Sequence, residues 1–124
     1  MTPMTHVTGI GGFFFRAKDP EALSAWYQQH LGIPPVGSAA GPWHTEAGTT
    51  VFAPFPADTD YFGRPEQQAM LNLRVRDLDA LLTALREAGA AVDEDTVDES
   101  YGRFGYVTDP EGNRIELWEP AASA

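Results

Sequence analysis

Hydrophobic and polar positions alternate strictly over Met70-Leu-Asn-Leu-Arg-Val-Arg76. This pattern predicts a strand whose leucines and valine face one side and whose Met70, Asn72 and Arg74 face the other. Asp77 follows directly and favours a helix N-cap. The next segment carries leucines at the spacing of a buried helical stripe and ends near Gly89, so it is predicted to be a helix.

Three further strands are predicted after this helix, near residues 91–97, 102–108 and 113–119. The last two are joined by Asp109-Pro-Glu-Gly-Asn113, whose residue types favour a tight turn. The second half of the chain is therefore expected to form a strand, a helix and three strands.

The first half has a similar but less regular pattern. Residues 9–17 predict a strand rich in Gly and Phe, and Asp19-Pro20 favours the start of a helix over residues 20–31 that ends at Gly32. Residues 33–56 are expected to hold strands punctuated by Pro and Gly.

A repeat relates the two halves. Arg16-Ala-Lys-Asp19 and the helix after it recur as Arg74-Val-Arg-Asp77 with its own helix. With 124 residues, the two copies must share one core. We therefore expect one domain over 1–124, with module one at about 8–56, a connector at 57–68 and module two at about 69–120. Tyr61 and Phe62 predict that the connector packs against the rest of the domain.

Composition narrows the possible partners and compartment. The formal charge is −10 and the basic residues are scattered, which argues against a nucleic-acid partner. The longest apolar run, 9–15, is too short to cross a membrane, and a membrane partner is not expected. The absence of cysteine and of a basic N-terminal stretch favours the cytoplasm.

The doubled strand-Asp-helix pattern and the ending Asp109-Pro-Glu-Gly-Asn-Arg-Ile-Glu-Leu-Trp-Glu-Pro120 resemble the vicinal oxygen chelate superfamily. That superfamily includes glyoxalase I, extradiol dioxygenases and bleomycin-resistance proteins. The resemblance implies an α+β fold in which two tandem βαβββ modules form partly open curved sheets around a cavity, with the helices outside. It also implies a small-molecule ligand and a homodimer.

The resemblance assigns four metal-ligand positions, which in this chain are Gly12, Phe52, Met70 and Glu116. One carboxylate cannot hold a catalytic divalent ion, because such sites typically need about three protein ligands. We therefore expect no metal or other cofactor. An unusual site formed by His44, Glu46 and Glu116 is the alternative.

Alternation along the strands predicts which side chains line the cavity. The face opposite the helices is expected to carry mostly aromatic or apolar side chains and a few polar ones, which is typical of a ligand pocket. The competing interpretation is that these aromatic residues simply fill a closed core. The predicted ligand-binding residues are Phe14, Phe52, Met70, Asn72, Arg74, Tyr106, Glu116 and Trp118.

Glu116 is the best candidate for a catalytic residue. Desolvation among aromatic residues would raise its pKa and make it a general base. Alternatively, it pairs with Arg74 or Arg114 and only satisfies a buried charge.

Three functions remain open from the sequence. The first is a metal-free binding module for a small organic molecule. The second is an enzyme, glyoxalase-like, that acts on a small carbonyl compound through Glu116 or an atypical metal site. The third is a scaffold whose site has decayed.

Overall fold

The computed structural model describes residues 6–39 and 41–122. It is a mixed α+β fold with two helices and one open, uncurled five-stranded sheet, which confirms the predicted fold class. The elements are α1 (Pro20–Leu31), β1 (Asn72–Arg74), α2 (Leu78–Glu87), β2 (Ala91–Val92), β3 (Val97–Glu99), β4 (Gly102–Thr108) and β5 (Arg114–Pro120).

Both helices begin as predicted. The carboxylate of Asp19 accepts a hydrogen bond from the backbone N–H of Ala22, and that of Asp77 accepts one from Ala80, each at 3.1 Å. Helix α1 ends at Gly32, whose φ of 71° lies in the left-handed region that glycine tolerates. The two capped helices are thus the part of the repeat that is present in both halves.

The sheet belongs entirely to the second half. Its strand order is β1-β5-β4-β2, with β3 also paired to β4. β1 runs parallel to β5, and the other pairs are antiparallel. The predicted strand at 91–97 is broken into β2 and β3, whereas the predictions at 102–108 and 113–119 agree closely with β4 and β5.

The strands predicted at 9–17 and 33–56 are not formed in the described residues of those segments. Gly9, Gly11 and Gly12 lose much conformational entropy in a strand and bring no side chain to pack. The five prolines of 33–56 lack the N–H groups that a strand ladder requires. The first half therefore contributes one helix and two extended segments.

One core holds the domain together. Both helices pack on the same face of the sheet, and the side chains of α2, β4 and β5 that point into this interface are almost fully buried. Gly105 lies directly under α2, where an added Cβ would come within 3.1 Å of Leu82. The core residues are Leu23, Tyr27, Leu78, Leu82, Leu85, Val107, Ile115 and Leu117.

The turn Asp109-Pro-Glu-Gly-Asn113 attaches α1 to the sheet. The hydroxyl of Tyr27 donates to buried Asp109 at 2.7 Å, and Asp109 also accepts from Asn113 and from the backbone of Glu111. The Glu111 carboxylate accepts from the backbone N–H groups of Lys18 and Asp19. This turn therefore joins the two halves as well as two strands.

No helix in the described part of the chain has the length and apolar character needed to cross a membrane.

Candidate ligand-binding site

The face of the sheet opposite the helices carries two rows of side chains. Strand register places Asn72 and Tyr106 on either side of Glu116, and it places Arg74 and Phe104 on either side of Trp118. The two rows are two residues apart along the strands, which is about 6.6 Å. This face borders a cleft between the sheet and the extended segments of the first half.

The first row is a hydrogen-bonded polar cluster of Tyr61, Asn72, Tyr106 and Glu116. Asn72 Nδ2 donates to Glu116 Oε1 at 2.6 Å, and the Tyr61 hydroxyl donates to Glu116 Oε2. The hydroxyls of Tyr61 and Tyr106 lie 2.5 Å apart. Glu116 therefore has no arginine partner among the described residues, and the predicted pairing with Arg74 or Arg114 is wrong.

Tyr61 comes from the connector and was not predicted to be a site residue. Its ring stacks on Phe55 and meets the ring of Tyr106 edge-on. The only sequence signal was the pair of aromatic residues in an otherwise polar connector. The predicted packing of the connector is thus observed, with Tyr61 directed at Glu116.

Arg114 holds this connector in place. Its guanidinium donates to the Tyr61 carbonyl at 2.6 Å and to the Asp93 carboxylate at 2.8 Å, and it lies 4.0 Å from the centre of the Tyr106 ring. The side-chain amide of Gln67 also exchanges two hydrogen bonds with the Arg114 backbone, each at 2.8 Å. Arg114 thus bonds to Asp93 and to the connector rather than to Glu116.

The two tyrosines of the polar cluster resist ionisation. Burial raises the pKa of Tyr61, and its hydrogen bonds to Glu116 and Tyr106 raise that pKa further. The pKa of Tyr106 is also raised, mainly by burial. Both phenols therefore act as neutral hydroxyl groups in the physiological pH range.

Beside the polar cluster lies an aromatic cluster of Tyr101, Phe104 and Trp118. The rings of Phe104 and Trp118 are parallel to within 2°, with centroids 5.9 Å apart, and Tyr101 meets Phe104 edge-on. The indole N–H of Trp118 donates to the Tyr101 carbonyl at 3.1 Å. Gly102 permits this arrangement, because an added Cβ at this position would lie only 2.4 Å from Trp118 Nε1. The φ angle of Gly102 is 142°, which residues with a side chain rarely adopt.

The remaining predicted residues border the same cleft without joining either cluster. Met70 is half-buried at its edge, and Arg74 donates to the Glu46 carbonyl at 2.9 Å. Phe14 and Phe52 border the cleft from the first half, but their side chains are 94% and 87% exposed. All the predicted site residues thus border the cleft, but only Asn72, Tyr106, Glu116 and Trp118 join the polar and aromatic clusters.

The trio of His44, Glu46 and Glu116 is not brought together. Within 6–39 and 41–122, no three or more His, Asp or Glu side chains cluster closely enough to hold a metal ion. Glu46 pairs instead with Arg76, and His44 is exposed.

Comparison with known proteins identifies the family. The sequence profile of the glyoxalase-like domain matches residues 12–118, which is most of the chain. The chain belongs to the glyoxalase-like domain family. No curated protein sequence matches it.

Solved structures support this glyoxalase-like fold. TnmS3, an antibiotic-binding protein from Streptomyces sp. CB03234, is 24% identical with a TM-score of 0.64, over 95% of this chain and all of that one. A glyoxylase/bleomycin resistance protein/dioxygenase domain from Frankia sp. EAN1pec is 18% identical with a TM-score of 0.59, over 93% of this chain and 99% of that one. At these identities the similarity shows the fold.

The metal implied by the metal-dependent enzymes of the superfamily does not fit this glyoxalase-like chain. Gly12, Phe52 and Met70 offer no oxygen or nitrogen side-chain ligand at the corresponding positions. Glu116 supplies the only carboxylate among the four, and both of its oxygens already accept hydrogen bonds.

Proposed function

We propose that this chain binds a small organic molecule in the cleft over the open face of its sheet and does so without the superfamily's usual catalytic metal. Side chains of the polar cluster would orient the ligand, and the aromatic cluster would supply apolar contact area. The proposed ligand-binding residues are Phe14, Phe52, Met70, Asn72, Arg74, Tyr106, Glu116 and Trp118, to which we add Tyr61.

The observation that carries this proposal is the juxtaposition of the two clusters. A small set of hydrogen-bonding groups lies one row away from the parallel rings of Phe104 and Trp118. Tyr106 and Trp118 are buried, so a ligand would reach these rows through the half-buried Glu116 and Phe104 and the exposed Tyr101. Small-molecule sites generally combine apolar and aromatic walls with a few placed polar groups.

A structural relative points to the class of ligand. TnmS3 is described as an antibiotic-binding protein, and it has the same fold over nearly the whole chain. The net charge of −10 would also attract a cationic compound to the surface. The first observation favours an antibiotic-like molecule, and the second favours one that is cationic.

Thermal denaturation with a panel of aromatic antibiotics, including bleomycin, tests the proposal. A ligand at about one hundred times its Kd adds about 2.7 kcal/mol to the free energy of unfolding and raises the Tm by several degrees. At least one compound should do so, whereas nickel, zinc, manganese and iron(II) should leave the Tm unchanged. If a metal ion raised the Tm and none of the organic compounds did, the proposal would be contradicted.

Two matched variants test whether the ligand that raises the Tm binds in the cleft. Phe52→Ala should reduce the rise in Tm, since Phe52 borders the cleft. Val7→Ala is the control, because it removes another exposed apolar side chain that lies outside the cleft lining. Both side chains are exposed, so neither change should unfold the protein. If the ligand raised the Tm of both variants equally, Phe52 would not be part of the site.

We also propose that the chain acts as a homodimer in the cytoplasm. The first half exposes many large apolar side chains, and a large exposed apolar surface commonly marks a protein interface. These side chains include Ile10, Val36 and Val51. Light scattering coupled to size-exclusion chromatography should give twice the mass of one chain, and the mass of a single chain would contradict a dimer.

An enzyme is the second candidate function, favoured by one observation. Glu116 faces the cleft beside two neutral tyrosine hydroxyls, so a base and potential proton donors lie within hydrogen-bonding distance of each other. If a small carbonyl compound is converted, Glu116→Gln should abolish turnover and leave binding largely intact. Unchanged turnover in this variant would exclude Glu116 as the base.

A further inference from the structure

The directions of the hydrogen bonds in the polar cluster follow from simple counting. A carboxylate only accepts hydrogen bonds, and a tyrosine hydroxyl has one hydrogen to donate. Because Tyr61 donates its hydrogen to Glu116, the bond between the two tyrosines must be donated by Tyr106. The order is therefore Tyr106 to Tyr61 to Glu116.

This order uses both hydroxyl hydrogens inside the cluster. Tyr106 keeps an oxygen lone pair, and Glu116 keeps lone pairs beyond those that accept from Tyr61 and Asn72. Tyr106 is buried, whereas Glu116 is only half-buried. At Glu116 the protein can therefore accept a hydrogen bond from a ligand but cannot donate one.

The charge of Glu116 is not cancelled by a neighbouring cation. Arg74 and Arg114 lie on the same face of the sheet, but Arg74 donates to the Glu46 carbonyl, and the Arg114 guanidinium binds the Asp93 carboxylate and the Tyr61 carbonyl. The groups that bind Glu116 are the neutral Asn72 amide and the neutral Tyr61 hydroxyl. A negative, hydrogen-bond-accepting spot thus lies next to the aromatic cluster.

The distance between the clusters limits the shape of the ligand. Phe104 and Trp118 lie two residues along the strands from Tyr106 and Glu116, which is about 6.6 Å. A fused two-ring system that contacts the aromatic cluster can therefore place a substituent at Glu116.

We infer that the ligand is a planar aromatic compound that presents a hydrogen-bond donor, a hydroxyl or a protonated amine, to Glu116. This inference rests on the proposed binding function and specifies the ligand class for the same site. Aromatic compounds whose polar groups only accept hydrogen bonds, such as methyl ethers and carboxylates, are discriminated against there, because they would leave the Glu116 lone pairs desolvated and unpaired.

Isothermal titration with four naphthalene probes tests the inference at pH 7. 2-Naphthol and protonated 2-naphthylmethylamine carry donors, whereas 2-methoxynaphthalene and 2-naphthoate carry only acceptors. We expect each donor probe to bind at least about tenfold more tightly than 2-methoxynaphthalene, the size expected for one hydrogen bond to a charged group. If hydrophobic transfer alone determined affinity, 2-methoxynaphthalene, which is the more apolar probe, would bind more tightly than the donor probes. Comparison of the two donor probes shows whether a neutral or a cationic donor is preferred.

Glu116→Gln supplies the variant test, because its amide adds N–H donors in nearly the same volume. The preference for donor probes should fall to less than about threefold in this variant. Glu99→Gln is the matched control. Glu99 also borders the cleft but lies outside the polar cluster, so this variant removes one negative charge and leaves the polar cluster intact. This control should keep the wild-type preference.

The outcomes separate the two proposals. Binding of all four probes with equal affinity would overturn the donor inference and leave the proposed binding function intact. Binding of none of them, together with no response to the antibiotic panel, would overturn both. The selectivity of the wild-type protein decides the inference even if Glu116→Gln does not fold.

Discussion

The two halves of this chain share a sequence motif but not a structure. Both place an aspartate at the N-cap of a helix, with the same 3.1 Å hydrogen bond to the residue three positions ahead. Within residues 6–39 and 41–122, only the second half adds a sheet, and its Leu117 is completely buried, whereas Phe52 of the first half is 87% exposed. A cap is a local structure that a few residues determine, while a strand requires a partner with matching backbone groups.

The largest expected difference between the halves is in the core. Leu117→Ala should lower the free energy of unfolding by about 2–5 kcal/mol, because it leaves a cavity between the sheet and α2. Phe52→Ala should change it by less than about 0.5 kcal/mol, as expected for an exposed position. Urea denaturation measures both, and comparable losses would show that the first half is packed as tightly as the second.

Tyr27 should have the next largest effect, because it joins α1 to the second half. Tyr27→Phe removes the hydrogen bond to buried Asp109 and should cost about 1–3 kcal/mol. Asp109 keeps its bonds from Glu111 and Asn113, so the turn itself should persist. A variant as stable as the wild type would show that α1 is attached mainly by apolar contacts.

Tyr27 also predicts a pH dependence. Burial raises its pKa above the ordinary value of 10.0, and the nearby Asp109 carboxylate raises it further. Because the unfolded phenol ionises first, its contribution to stability is full below pH 10 and decreases as pH rises above that value. The slope of unfolding free energy against pH above 10 should be smaller in Tyr27→Phe. Tyr61→Phe serves as a comparison, since Tyr61 also has a raised pKa.

The two N-caps provide a like-for-like comparison of the halves. Asp19→Ala and Asp77→Ala should each cost about 1 kcal/mol, because each removes one hydrogen bond of the same length from a helix N-terminus. Equal losses would show that the repeated motif has the same local energetics in both halves. If Asp19→Ala cost nothing, the repeat would be a resemblance in sequence alone.

The smallest effect is expected at the ion pair between the halves. Arg76 and Glu46 bond directly, but their side chains are 72% and 79% exposed. A double-mutant cycle should give a coupling of at most about 0.5 kcal/mol, and added salt should reduce it. A larger coupling would show that this contact fastens the extended segment of the first half to β1.

Local signals predicted much of the fold. Helix α1 has the predicted bounds, and β4 and β5 agree closely with the strands read from alternation on either side of the Asp109–Asn113 turn. The strands predicted for the first half were wrong, because its glycines favour other conformations and its prolines lack the N–H groups that a strand ladder requires.

The candidate site was only partly predictable. Alternation along a strand indicates which residues share a face, so Asn72, Tyr106, Glu116 and Trp118 could be grouped from the sequence. It does not indicate which distant segment lies over that face. Tyr61 is 55 residues from Glu116 along the chain, and the prediction of an arginine partner for Glu116 failed for that reason.

The sequence by itself determined the helix caps, the strand faces of the second half and the residue types at the four positions that the family resemblance assigns to metal ligands. These properties depend on residue type and on neighbours a few positions away. Only the tertiary structure decided that the connector places Tyr61 against Glu116 and that Arg114 is occupied by Asp93. Such partners depend on how separate segments of the chain pack in space, and the spacing of residues along one strand or helix does not encode that packing.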